Sequence, residues 1–301
     1  MSEPLRVGLV GAGPWAKLFT GPMITASDHL DLVGVWARRP DAATELATKL
    51  GTSAVADIDA LIDDVDALAF ALPPDVQADL AGRAARAGKA VLLDKPIGLH
   101  EAQAAALVDT IERAGVVSQV ILTNRYLPSM REYLAQLEGF DAYGARASFF
   151  GNGCLPGTYF ATPWRLEQGG LLDLGPHVID SLQASLGPIV DIEARGHPFE
   201  MVFLTCTHRD GRTSQATLSA TTDVAGGLLI EVYGAAGRLG FDAGAMSPEQ
   251  NAAEYTAAQG NITAEFADHV RSGTPHPLDA AHALALQRLI DRAAAQLVGS
   301  R

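Results

Sequence analysis

The chain begins with apolar positions that are nearly continuous, "LRVGLV", and that break at glycines. Four more short runs of this kind follow: "LDLVGVWARR", "VDALAFALPP", "GKAVLLDKP" and "GVVSQVILTNRY". Consecutive Val, Leu and Ala mark strands buried on both faces, as in a parallel sheet covered by helices. Between them, "PDAATELATKLG", "PPDVQADLAGRAARAG" and "LHEAQAAALVDTIERAG" space their apolar residues at helical intervals. Each of these segments closes on a glycine, the residue that best tolerates the left-handed helix cap. The alternation predicts a doubly wound α/β domain over residues 1–122. The acidic run "DIDALIDDVDAL" reads as a helix with a solvated face, since it lacks the glycine turn of a calcium loop.

The texture changes after Tyr126. "PSMREYLAQLEG" predicts a helix and "YGARASFFGNG" a strand, followed by a long segment bearing glycine and proline. From Ile189 strand patterns dominate: "VDIEARG", "FEMVFLTCTH", "TSQATLSATT", "GLLIEVYG" and "RLGFDAG". The turn "HRDGRT", with its Asp-Gly, signals a hairpin. Strands in series predict an α+β domain over residues 123–301, built on an open, mostly antiparallel sheet. Two helices, "ITAEFADHVRSG" and "PLDAAHALALQRLIDRAAAQLVG", close it, the last expected to pack back on the first domain.

Composition narrows the classes of function. The chain has 301 residues, 48% of them hydrophobic and 19% charged, enough apolar material for two cores. A net charge of −13 argues against nucleic acid and anionic membranes as partners. Two distant cysteines, Cys154 and Cys206, form neither a disulfide framework nor a thiolate metal site, which points to a reducing, cytoplasmic setting. No signal segment is expected at the start, and no window approaches the roughly 20 apolar residues of a membrane span. The eight histidines show no metal-ligand spacing. "HRDG" lacks the glycine loop and lysine strand that kinase chemistry needs.

Several stretches carry candidate chemistry. In "VGLVGAGPWA", Gly11 and Gly13 follow a strand and precede a helix, as a pyrophosphate-binding turn requires, with Ala16 at the third glycine position. "FTGPM" places Gly21-Pro22 inside that helix, which predicts a short or broken one. At the end of the second strand, where a free ribose hydroxyl is met by a carboxylate, stand Ala37, Arg38 and Arg39. Arg38 either pairs with a 2′-phosphate, favouring NADP(H) over NAD(H), or is a surface arginine at a helix start. Lys95 ends the strand "AVLLD", on the edge where open α/β sheets bind ligands, and the following Pro96 allows a cis bond. In "GGLLDLGPHVID", Asp173 and His177 lie four apart on one helical face, with Pro176 between them. An acid–base pair and a packed core segment are both open readings of that stretch, and taken alone such a segment is more often packing than catalysis.

Taken together, the ordered motifs "GxGxxA", "AGKAVLLDKP" and "WRLEQGGLLDLGPHVID" resemble those of the Gfo/Idh/MocA oxidoreductase family, nearly end to end. The resemblance implies an N-terminal Rossmann domain and a C-terminal α+β domain for substrate binding and assembly as a homodimer or homotetramer. It implies catalytic roles for Lys95, Asp173 and His177. Cofactor contacts fall on Gly11, Gly13, Pro14, Trp15, Arg38, Arg39, Leu72, Pro73 and Lys95, and substrate contacts on Arg125, Tyr126, Trp164, Arg165, Asp173 and His177. No metal is implied. Asp94 replaces the family's usual Glu, Gln77 stands where many members have His, and the segment between "WR" and "GG" is short. The expected activity is hydride transfer between NAD(P) and a secondary alcohol or ketone of a sugar, cyclic polyol or related molecule. The alternative is a non-catalytic sensor that binds dinucleotide and sugar on the same fold.

Overall fold

The computed structural model describes residues 3–224 and 226–297. The outermost residues of the two expected domains, and the close of the last helix at Gly299, lie outside the described residues. The chain forms two compact units: Met1–Ile121 with Gln259–Ala285, and Leu122–Ala258 with Leu286–Arg301.

In the first unit β1 (Leu5–Val10) leads through a helical segment ending in α1 (Gly21–Thr25) to β2 (Leu30–Trp36) and α2 (Pro40–Leu50). β3 (Ser53–Ala54), α3 (Ile58–Asp63), β4 (Ala67–Phe70), α4 (Pro74–Arg86), β5 (Ala90–Asp94), α5 (Glu101–Ala114) and β6 (Ser118–Ile121) follow. The strands pair in parallel in the order β3-β2-β1-β4-β5-β6. Every residue of β4 is 0% exposed, which is the two-sided burial that its unbroken apolar run demands. The two-residue β3 has no such run, and the sequence pattern did not reveal it.

The helix after β1 departs from expectation. It is not broken at Gly21-Pro22; residues Ala16–Thr20 widen into a π-helical turn and α1 continues from it. The Gly21 N–H donates five residues back to the Ala16 carbonyl, so the ladder has already shifted where Pro22 withdraws its donor.

Strand β6 does not stand as a bare edge. Val120 N–H donates to the Leu278 carbonyl (2.7 Å), and Gln119 Nε2 donates to the Ile262 carbonyl (3.1 Å). The first unit is therefore completed by a late segment of the chain.

The second unit contains α6 (Pro128–Gln136), β7 (Ala142–Phe150), α7 (Pro163–Gln168), α8 (Gly170–Leu186) and the strands β8 (Ile189–Gly196), β9 (Val202–His208), β10 (Thr213–Ser219), β11 (Gly227–Gly234) and β12 (Gly237–Asp242). Helices α9 (Pro248–Ser272) and α10 (Ala280–Leu297) close the chain, and α9 starts well before the expected apolar stretch. The sheet order is β12-β11-β7-β10-β9-β8, antiparallel except for the parallel pair β7/β10. "HRDGRT" is the expected hairpin turn: the His208 N–H donates to the Arg212 carbonyl (2.8 Å), with Gly211 at φ 87°. Inward residues such as Leu204, Cys206, Leu218, Ile230 and Val232 are buried, and α8 packs on the sheet. His208 ties the end of α8 to the sheet, its Nδ1 2.7 Å from the Gly187 carbonyl and its Nε2 2.8 Å from Ser214 Oγ. Burial pulls its pKa below the ordinary imidazole value. Both cysteines are reduced and buried.

Candidate active site

The first unit's order reverses at β1, which has β2 on one side and β4 on the other; open α/β sheets bind ligands at this crevice. Gly11 turns the chain there with φ 126°, and its N–H donates to the Trp36 carbonyl (2.8 Å). A Cβ on Gly11 would lie 2.3 Å from the Ala71 carbonyl oxygen, so only glycine lets the chain leave β1 so close to the end of β4. A Cβ on Gly13, in contrast, would meet no protein atom within 4 Å. That free space adjoins the start of the helix, where Pro14 and Trp15 are already helical and Trp15 stacks on Phe19 at 4.7 Å. A glycine that the protein's own packing does not require, at a helix N-terminus, fits the close approach of a pyrophosphate. Leu72 and Pro73 leave β4 beside it, Leu72 Cδ2 standing 3.3 Å from the Gly11 Cβ position.

Between β2 and α2, Arg38 and Arg39 are exposed, and among the described residues neither guanidinium makes a hydrogen bond or ion pair; the Arg39 carbonyl accepts from the Ala43 N–H (3.1 Å). No carboxylate stands at the β2 end, where Ala37 follows Trp36. Lys95 follows the last residue of β5 and is partly buried; its N–H donates to Asp94 Oδ1 (2.8 Å), and Lys95-Pro96 is cis.

Gln77 holds this turn. Fully buried on α4, it accepts from the Asp94 N–H at Oε1 (2.9 Å) and donates from Nε2 to the Asp94 carbonyl (2.8 Å). It also reaches the Pro96 carbonyl at 3.4 Å. The sequence marked Gln77 only as a departure from a family pattern; its role as a clamp on the lysine-bearing turn carries no local signal.

In the second unit α8 runs unbroken through Pro176. Pro176 removes the hydrogen bond to Leu172, yet both flanking turns stay helical. Asp173, His177 and Asp180 share one stripe of the helix and are all buried, at 6%, 9% and 1% exposure. Phe149 lies against the imidazole, ring centroids 6.0 Å apart. Arg165 of α7 is ion-paired to Asp173 (Nε to Oδ1 3.1 Å), and its guanidinium lies 4.5 Å from the Trp164 ring. Arg125 donates to Asp180 Oδ1 (2.9 Å). Tyr126 is 0% exposed and packs beneath Arg131 at 5.7 Å. Arg165 and Arg125 reach carboxylates of their own chain, the second of them across 55 residues of sequence.

The glycine pair before the helix has a packing role. Gly169 adopts φ 76°, and a Cβ there would stand 2.3 Å from the Pro198 carbonyl oxygen. A Cβ on Gly170 would stand 2.9 Å from Ala220 N. The glycines seat the start of α8 against the sheet's end, which fixes where Asp173 and His177 begin. Among the described residues no cluster of three or more His, Cys, Asp or Glu could hold a metal, and no helix is long and apolar enough to cross a membrane.

This strand order, with glycines at the switch point, is that of a dinucleotide-binding Rossmann fold, here with a second unit built on an open sheet. Residues 5–122 match the family model described as "Oxidoreductase family, NAD-binding Rossmann fold". That match covers the strands and helices of the first unit from Leu5 onward, including Gly11, Gly13 and Lys95. The chain is 36% identical over 115 residues to a dTDP-3,4-didehydro-2,6-dideoxy-alpha-D-glucose 3-reductase of Streptomyces violaceoruber, covering 38% of this chain and 34% of that protein. It is 28% identical over 214 residues to the D-glucoside 3-dehydrogenase of Escherichia coli strain K12, covering 67% of this chain and 59% of that one. The chain thus spans less than two thirds of the length of these curated relatives. In fold it is similar to GenD2 from gentamicin A biosynthesis, solved in complex with NAD: TM-score 0.85, 22% identity, 100% of this chain and 96% of that chain.

Proposed function

We propose that the chain is an NAD(P)-dependent oxidoreductase acting on a secondary alcohol or ketone of a sugar, cyclic polyol or related small molecule. The observation that carries this reading is the buried Asp173–His177 turn of α8, an acid–base pair on a buried helix rich in apolar residues. Related proteins named for sugar 3-reduction and glucoside 3-dehydrogenation support the substrate class. Residues 1–122 form the dinucleotide-binding domain in this reading, and 123–301 the substrate and assembly domain.

When bound, the nicotinamide supplies the hydride acceptor or donor. His177 takes the hydroxyl proton on its ring nitrogen, the task for which imidazole is best suited near neutral pH. The Lys95 ammonium stabilises negative charge as it develops on the substrate oxygen. Asp173, held by Arg165, fixes the orientation of the base. Gly11, Gly13, Pro14, Trp15, Leu72 and Pro73 form the cradle for the dinucleotide. Arg38 and Arg39, uncommitted and unopposed by a carboxylate, favour NADP(H) over NAD(H). Substrate also meets Trp164 and the exposed parts of Arg125 and Arg165. A homodimer or homotetramer would form through the second sheet, whose outer face exposes Phe203 and Tyr233. The reduced, buried cysteines suit a cytoplasmic setting.

The test is turnover with NADP⁺ and NAD⁺ across a panel of glycosides and cyclic polyols, followed by absorbance of the reduced nicotinamide. Activity that disappears in a folded Lys95→Ala variant supports the reading. Dinucleotide and sugar binding without turnover on any member of the panel would make the protein a sensor instead.

A further inference from the structure

The end of α8 remote from Asp173 meets the turn between β9 and β10 at an open pocket of about 540 Å³. Leu137 and Phe140, in the connection from α6 to β7, form a further wall. The pocket lies apart from the proposed active site. Leu186, which lines it, is nine residues beyond His177, about 14 Å along the axis at about 1.5 Å per residue. The strands agree: β7 brings its first residue, Ala142, to the pocket, and Phe149, near its other end, to the His177 ring. A space of this size suits a small organic molecule.

Charge in the pocket is uneven. The last carbonyls of a helix carry partial negative charge, which repels anions unless donors cover them. Here they are covered. Arg212 Nη2 donates to the Leu186 carbonyl (3.0 Å), and the buried His208 donates from Nδ1 to the Gly187 carbonyl (2.7 Å). Arg212 also engages Asp210, from Nε to Oδ2 at 2.7 Å and from its backbone N–H to Oδ1 at 3.1 Å. These bonds hold the Asp210 carboxyl below its ordinary value.

Arg209 is different. Its backbone N–H donates to the Pro188 carbonyl (2.9 Å), which seats the residue at the pocket. Its guanidinium makes no hydrogen bond or ion pair among the described residues. With Arg212 and Asp210 paired to each other, the charge left unopposed among the lining residues is one guanidinium, in a pocket whose walls include Leu137, Phe140 and Pro188.

We infer that this pocket is a second ligand site, one that takes a small monocarboxylate with an apolar body. The Arg209 fork matches a carboxylate in bidentate geometry, and the apolar walls cover the rest of the molecule. One unopposed cation suits one negative charge. A phosphate dianion would bring surplus charge to a chain whose net charge is already −13. No hydride chemistry is involved, so the site holds or fails apart from the oxidoreductase reading.

The test uses benzoate as the probe, added to the intact protein isotope-labelled at arginine and followed by NMR. The Arg209 amide signal is identified as the one lost in Arg209→Gln. Benzoate is expected to shift the Arg209 and Arg212 amides saturably, with a Kd of about 1 mM or tighter. Benzamide, which lacks the charge, and acetate, which lacks the apolar body, are each expected to bind about tenfold more weakly or worse. Because the Arg209 guanidinium supports no other group, Arg209→Gln is expected to keep the wild-type melting temperature. Followed at the Arg212 amide, its affinity for benzoate should fall about tenfold, with Arg209→Lys, a point charge without the fork, between the two. No saturable shift up to about 20 mM benzoate, equal binding of benzamide or acetate, or undiminished binding in Arg209→Gln would overturn the inference.

Discussion

Gln77 and Asp94 are joined by a reciprocal pair of hydrogen bonds: the carboxamide accepts from the Asp94 N–H at 2.9 Å and donates to the Asp94 carbonyl at 2.8 Å. The amide side chain thus stands in for a neighbouring strand at the point where β5 ends and Lys95 begins. Gln77→Leu leaves both backbone groups unsatisfied in a buried place, and a loss of about 1–3 kcal/mol in denaturant unfolding is expected. Turnover is expected to fall more than dinucleotide affinity, because the displaced group is the Lys95 turn. Gln77→Glu, which can accept but not donate when ionised, should lie between leucine and wild type.

The two glycines after β1 separate folding from binding. Gly11→Ala meets the Ala71 carbonyl at 2.3 Å in a backbone region that L-residues avoid, and is expected to destabilise the first unit by about 1–3 kcal/mol or more. Gly13→Ala meets nothing within 4 Å, so its melting temperature should match wild type while dinucleotide affinity drops. Thermal unfolding with and without added NADP⁺ reads both effects. Undiminished NADP⁺ stabilisation in Gly13→Ala would remove that position from the cradle.

On the proposed reading, Arg38 and Arg39 set the preference for NADP(H). Replacing both by alanine removes charge-assisted bonds to a 2′-phosphate, and NADPH affinity is expected to weaken about tenfold to a hundredfold. NADH affinity should change little. Fluorescence titration of each reduced cofactor makes the comparison, and an equal loss for both would contradict the assignment.

Acid stability reports on the second sheet. The Arg146 guanidinium, joined by Arg238, holds the Glu231 carboxyl below its usual range against the opposing pull of burial. A carboxyl with a lowered folded pKa stabilises the fold above its unfolded value, about 4.3, and this contribution is lost as pH falls through the folded value. Glu231→Gln should therefore be less stable than wild type at neutral pH, with the difference shrinking below about pH 4. Urea unfolding at neutral and acid pH measures it. The exposed arginines left behind should add little penalty.

The parts legible in the sequence were those governed by local periodicity. The unbroken apolar run of β4 announced two-sided burial, and "HRDGRT" announced its hairpin because Asp-Gly constrains a few adjacent residues. Gly11 was readable for the same reason. Gly21-Pro22 misled, since a π-helical turn four residues earlier had already changed the hydrogen-bond register at which proline acts. The ion pair Arg125–Asp180 and the clamp from Gln77 join residues distant in sequence, Arg165–Asp173 links two successive helices, and none leaves a periodic trace. The motif around His177 marked a candidate site in the sequence, and the folded chain showed the ion pairs that its carboxylates make with Arg165 and Arg125.

The bond from Val120 N–H to the Leu278 carbonyl ties the last strand of the first sheet to a segment made near the end of synthesis. While the chain is still emerging from the ribosome, β6 can pair with β5, but its outer edge must wait more than a hundred residues for its cover. An uncovered strand edge is a template for pairing with other chains. The nascent protein thus passes through an interval in which its nucleotide-binding unit is assembled but open to aggregation. A stalled or truncated chain ending before the Gln259–Ala285 segment would remain in that exposed condition.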